Sequence, residues 1–386
     1  MLGHEAGATT DVTAALEAAQ EAVRRRGDDR ERSLVDVVPR RVADVNGNGA
    51  GALMNHIAQH PRDVLAVSAA VPTIAFSGVT DVQQGAWDLV EGLAPAYGDH
   101  WWYISLPAFT RQDQGRFEEA GWLAESALTC EPSSGHAVHA QTHVSAETGQ
   151  HESGRAWLDH WVTESGRAAI HRAHFSWHAA LHELALGDTE AVRQRSYTQL
   201  GPGAVTGVLA LVDSASPLWR WRVTTSAWPA GAADGAAPPA SSVLGTIEPE
   251  LLAEPRTPFV AVHAALALAA DGDATRLAAL ERRMRSARGA MRTVVAPLGT
   301  APGASLEDRW VEAADTLEEI VPALPEVGGS AAQREVVEET LLLALAHAGW
   351  ADRARAVLDS RLERRPSPLD LRRRDSLRTH DQRVPA

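Results

Sequence analysis

Apolar residues recur at spacings of three and four along nearly the whole chain, the period of an amphipathic helix. The stretch TDVTAALEAAQEAVRRR (10–26) opens on capping residues and then keeps that period. Residues 50–73 predict a helix, a break at Pro61 and a second helix, and residues 79–94 predict another. The glycine-rich GNGAGAL (47–53) has nothing strand-like before it and is expected as a loop. From Trp101 onward the pattern becomes regular: helix, glycine turn, helix. Gly115 and Gly149 are 34 residues apart, a tetratricopeptide period. Further turns are expected at Gly187, Gly272 and Gly349. No segment alternates as a strand would. The predicted fold is all-α, a tetratricopeptide-like α-solenoid of helical hairpins with a concave groove.

The domain reading follows from where the pattern stops. Residues 1–49 are an N-terminal helix and loop, and 50–225 an N-terminal helical array. Residues 226–246 (SAWPAGAADGAAPPASSVLGT) are an Ala/Gly/Pro-rich linker or loop. Residues 247–363 form a C-terminal array, and the Arg-rich 364–386 is expected to be a flexible, solvated tail.

Composition narrows the function. The formal charge is −14, from 36 basic and 50 acidic residues in 386, which disfavours nucleic acid as a partner. There is one cysteine, Cys130, so no internal disulfide can form. No apolar run suits a signal peptide or a membrane span, so a cytoplasmic protein with no membrane partner is expected. All 36 basic residues are arginine. Without lysine there is no Schiff-base chemistry on the chain and no Walker-type phosphate loop. Arginine in place of lysine, with much Ala and Gly, points to a GC-rich bacterial genome. Nor is there a GxSxG, a CxxC or an HExxH.

Histidine is the residue out of proportion. Ten of sixteen lie between residues 100 and 182. His171, His174, His178 and His182 fall within roughly 80° on one helix face. His136, His139 and His143 repeat the first three spacings one hairpin earlier. Both stripes sit on first helices, which line the concave wall of such a solenoid, so they can face one groove. Three readings compete: packing histidines, a metal site, or an acid/base pocket. Imidazoles suit proton transfer near neutrality, and crowding lowers their pKa toward neutral bases. The first stripe holds no acid, which sets metal behind acid/base chemistry. Trp101, Trp102 and Trp177 add flat apolar walls beside the histidines.

The segment from about 55 to 225 resembles the tetratricopeptide repeat protein 38 family and its bacterial relatives. HAVHAQTHVSAETGQHESGRAWL, HFSWHAALHELALGD and DSASPLWRW carry the likeness. PFVAVHAALALAADGD and GGSAAQREVVEETLLLALAHAG extend it to about 363. The resemblance implies an all-helical, tetratricopeptide-like solenoid and no particular activity. It singles out His139, His143, His174, His178 and Trp177. It adds Asp213, Trp219, Arg220 and His263, then Gly328-Gly329-Ser330 with Gln333 and Arg334. The chain departs from that pattern at Ala261, Ala331 and Glu183.

The expected function is a small-molecule-binding protein with a His/Trp-lined pocket, acting without cofactor or metal in proton transfer, elimination or hydrolysis. His139, His143, His174 and His178 are the catalytic candidates, with His143 and His178 exchanging protons. Arg220 or Arg334 would clamp an anion. Trp101, Trp102, Trp177, His136, His182, Asp213, Trp219, His263, Ser330 and Gln333 would complete the binding site. A protein-interaction scaffold is the rival class and a His-ligated metal enzyme a further one. A homodimer or a protein partner stays open.

Overall fold

A computed structural model describes residues 12–43, 48–75, 80–169, 171–226 and 240–381. The fold is all-helical, with no strand among the described residues. None of the described helices is long and apolar enough to cross a membrane. The expected hairpins are Trp101–Asp113 with Phe117–Cys130, Gly135–Glu147 with His151–Thr163, and Arg172–Leu186 with Thr189–Thr198. Pro258–Asp271 with Ala274–Ser286, and Ala331–His347 with Ala351–Arg364, are two more.

Local chemistry sets their ends. Ser134, Asp188, Thr257 and Asp273 each accept the backbone N–H three residues on, which satisfies a donor the helix leaves open. The five hairpin glycines, at 115, 149, 187, 272 and 349, all have φ between +73° and +77°. That left-handed conformation is inexpensive only for glycine. At Gly149 an added methyl would also lie 2.7 Å from Cβ of Pro366. Gly149→Ala is therefore expected to lower the unfolding free energy by about 1–3 kcal/mol, read from urea denaturation.

Three expectations change. The glycine-rich 47–53 stretch is helical from Asn48, in helix Asn48–Gln59, because Leu53 and Ile57 must enter the N-terminal core from one face. The 226–246 segment does not separate two packing units. Residues 227–239 lie outside the described residues, but 240–244 form a short helix whose Val243 and Leu244 are buried. One core runs from Val205 to Leu377 across it. Within that core, Trp219 on helix Ser216–Thr225 donates its indole N–H to Thr340 Oγ1 at 3.0 Å.

The Arg-rich tail is a docked helix, Pro368–Asp381, rather than a flexible end. Arginines of this helix, of the helix before it and of the turn between them hold it against the rest of the fold. Arg361 bonds Asp370 at 2.8 Å and Glu335 at 2.9 Å. Arg365 reaches Glu147 at 3.2 Å and also pairs with Glu335. Arg372 donates to the Leu186 carbonyl at 2.7 Å. Burial alone would raise the Glu335 carboxyl, but Arg365 and Arg361 hold it at about 2.

Candidate functional site

The i, i+4 pairs HAQTH (139–143) and HFSWH (174–178) lie on helices Gly135–Glu147 and Arg172–Leu186. These helices pack so that the two pairs meet. His139 Nε2 is 3.1 Å from His143 Nε2 and 3.2 Å from His174 Nε2. The His178 ring lies 4.8 Å from that of His143, 5.0 Å from His139 and 4.7 Å from His174. Ligand nitrogens of His139, His143 and His178 all fall within 4.8 Å of one another. His143 and His178 are each 2 % exposed, while the His174 side chain keeps 16 %. The cluster is thus sealed at the bottom and open at the His139–His174 edge.

Asp213 completes it. It is fully buried on a π-helical turn, Ala210–Ala215, and its Oδ1 accepts from His174 Nδ1 at 2.9 Å. A π turn adds a residue to the helix and re-aims its side chains, and such turns are frequent at functional sites. With Nδ1–H committed to Asp213, His174 Nε2 carries a lone pair. Trp177 stacks on His174 at 5.3 Å. Among the described residues, four buried polar atoms of these residues and of His263 find no hydrogen-bond partner: His178 Nε2, Trp177 Nε1, Asp213 Oδ2 and His263 Nε2.

Burial, reinforced by neighbouring imidazoles, pushes the pKa of His139 and His178 far below that of a free imidazole and that of His143 to about 3. These rings are neutral at pH 7, so each offers one N–H and one lone pair there and none is an imidazolium acid.

Other expected site residues are used elsewhere. His182 pairs with His151, which the sequence reading passed over, through Nδ1 atoms 3.1 Å apart. His151 Nε2–H is committed to the Pro366 carbonyl at 2.9 Å, so His182 is the donor between the two rings. Both rings line a cavity of about 40 Å³ that also borders Arg220 and Glu339, room for a water or two rather than a metabolite. Arg220 cannot act as a free anion clamp, because it bonds Glu339 at 2.6 Å and the Ala332 carbonyl at 2.5 Å. Arg334 is spent on the carbonyls of Gly328 and Gly329. Trp219 is core. His263 donates from Nδ1 to the Phe259 carbonyl at 2.8 Å, and burial takes its pKa to about 4.

Ser330 and Gln333 form the capping box of helix Ala331–His347. Ser330→Ala is expected to lower stability by about 1 kcal/mol while leaving ligand affinity unchanged, a contrast that calorimetry can read. Trp101 and Trp102 do not join the histidines. Trp101 lies 5.6 Å from the His100 ring, and Trp102 packs with Tyr97 against the N-terminal core. Burial, and after it the neighbouring His171, lowers the pKa of His136. Phe109, which nothing in the local sequence marks out, is the apolar wall, 4.9 Å from the His139 ring and 5.6 Å from His143.

No family model matches the chain, and no curated protein matches it.

Proposed function

We propose that the chain is a small-molecule-binding protein of tetratricopeptide-like hairpins whose histidine cluster performs proton transfer on a polar metabolite. The Asp213–His174 pair at 2.9 Å carries this reading. A buried carboxylate that fixes one imidazole nitrogen as a donor leaves the other as an oriented base. His174 is also the cluster histidine paired with a carboxylate and in reach of solvent. The base role therefore moves from His143 and His178, which are sealed in, to His174. Trp177 and the unpartnered His178, Asp213 and His263 atoms supply donors and acceptors that a bound metabolite would satisfy. The scaffold reading is weaker, because Trp219, Arg220 and Gln333 face interior contacts instead of a groove.

A thermal-shift screen of small polar metabolites tests this. A true ligand at a hundredfold excess over its Kd adds about 2.7 kcal/mol to the stability. His174→Ala should then lower turnover of that ligand by about 10²–10⁴-fold, and Asp213→Asn should do likewise by turning the imidazole to the wrong tautomer. Full turnover in His174→Ala would exclude the reading.

A further inference from the structure

We infer that His139, His143 and His178 hold a divalent transition-metal ion of the zinc class. The inference rests on the proposal that this cluster is the working site, and adds an ion to it. Three observations carry it.

The first is spacing. Two histidines four apart on one helix and a third on its neighbour are a three-imidazole donor set, and their ligand nitrogens already lie within 4.8 Å of one another. Around a tetrahedral ion with bonds of about 2.0–2.1 Å, ligand nitrogens sit about 3.3 Å apart. His139 and His143 are there now, at 3.1 Å, and a His178 ring nitrogen lies within 4.8 Å of both.

The second is proton bookkeeping. Asp213 takes the Nδ1–H of His174, so His174 Nε2 is a lone pair facing His139 Nε2 at 3.2 Å. His143 Nε2 faces the same His139 nitrogen at 3.1 Å. One N–H at His139 cannot point squarely at both neighbours, and if it serves one, the other contact is left weak. His178 Nε2, buried on the same cluster, has no hydrogen-bond partner among the described residues. Buried nitrogens left in this state are costly unless a cation draws on their lone pairs.

The third is the surrounding shell. Phe109 walls one side, and no carboxylate belongs to the donor set. Neutral nitrogen donors favour zinc and its neighbours over magnesium or calcium, which take oxygen. His174, which bonds Asp213 through Nδ1, lies beside the set with its Nε2 3.2 Å from His139 Nε2. Three protein ligands with one position left open is the pattern of catalytic rather than structural zinc.

The test uses the full, tag-free chain. It is stripped with a chelator, reloaded with zinc chloride, desalted and measured by elemental mass spectrometry. About one equivalent per chain is expected in the wild type, and at least tenfold less in His143→Ala and His178→Asn. His160→Ala, an exposed histidine outside the cluster, should keep its zinc. If the variants fail to fold, wild-type protein reloaded with cobalt(II) decides alone: the visible bands of a tetrahedral nitrogen site support the inference, and an octahedral aquo-type spectrum overturns it. Wild type that retains no zinc, or a double variant that retains as much as wild type, overturns it too. Zinc bound by a protein whose turnover ignores His174 keeps this inference and removes only the proton-transfer reading. Turnover that needs His174 with no metal bound does the reverse.

Discussion

Metal-free protein taken from pH 7 to pH 5 loses about 4 kcal/mol of stability through His182 and His263 alone. Both are buried neutral, with pKa values of about 3 and about 4 in the fold. In the unfolded chain each returns to about 6.5. The unfolded state therefore binds more protons wherever the pH lies between those limits, and folding is penalised by about 1.4 kcal/mol per pH unit for each ring. The contribution is intact above pH 6.5 and is lost progressively as the pH falls toward 3–4. The buried cluster imidazoles act in the same direction. Urea denaturation at the two pH values measures the loss, and His182→Gln should flatten the slope. A difference under about 1 kcal/mol would show that these rings already share protons in the fold.

Arg361→Ala is expected to cost about 3–5 kcal/mol and to free the C-terminal helix. Its guanidinium serves three carboxylates at once: Asp370 at 2.8 Å, Glu335 at 2.9 Å and Glu338 at 3.3 Å. Removing it strands buried negative charge, which is far more costly than losing a surface pair. Arg361→Lys should recover only part of the loss, since an ammonium lacks the planar fork that spans several acceptors. Limited proteolysis with trypsin gives the second readout, with new cleavage after Arg364 in the alanine variant. A tail that stays protected would mean that apolar packing around Leu377 holds it instead.

The hairpins were legible because their causes are local. A left-handed turn demands glycine within one or two residues of the helix end, and Gly115, Gly149 and Gly187 stand there in plain sight. The histidine pairs were legible for the same reason, since an i, i+4 spacing fixes a shared face whatever else the chain does. Arg220 was not, because its partner Glu339 lies 119 residues away and only the fold reveals that the guanidinium is occupied. The tail misled by the same route. A run of arginines reads as solvated until Glu335, Glu338 and Glu147 are found beside it. Asp213 enters from the sequence only through the family resemblance, and its task needs the π turn, which no spacing announces. Ser330 and Gln333 carried a legible capping-box signature that was taken for ligand binding.

The docking of 365–372 onto Glu147, Gly149, His151 and Leu186 has a consequence in time. The side-chain bonds among them join residues 186 to 218 positions apart, such as His151 with Pro366 and Arg365 with Glu147. During synthesis at about 5–20 residues per second, the central hairpins wait on the order of ten seconds or more for that strap. Until it arrives, His151 lacks the Pro366 carbonyl and Glu147 lacks Arg365, and the hairpins that carry the histidine cluster are held only by their neighbours. Closure of such a long loop is slow in refolding as well. Acquisition of the native state should therefore be a late, single step that follows early helix formation, with the histidine cluster assembled before the molecule is locked.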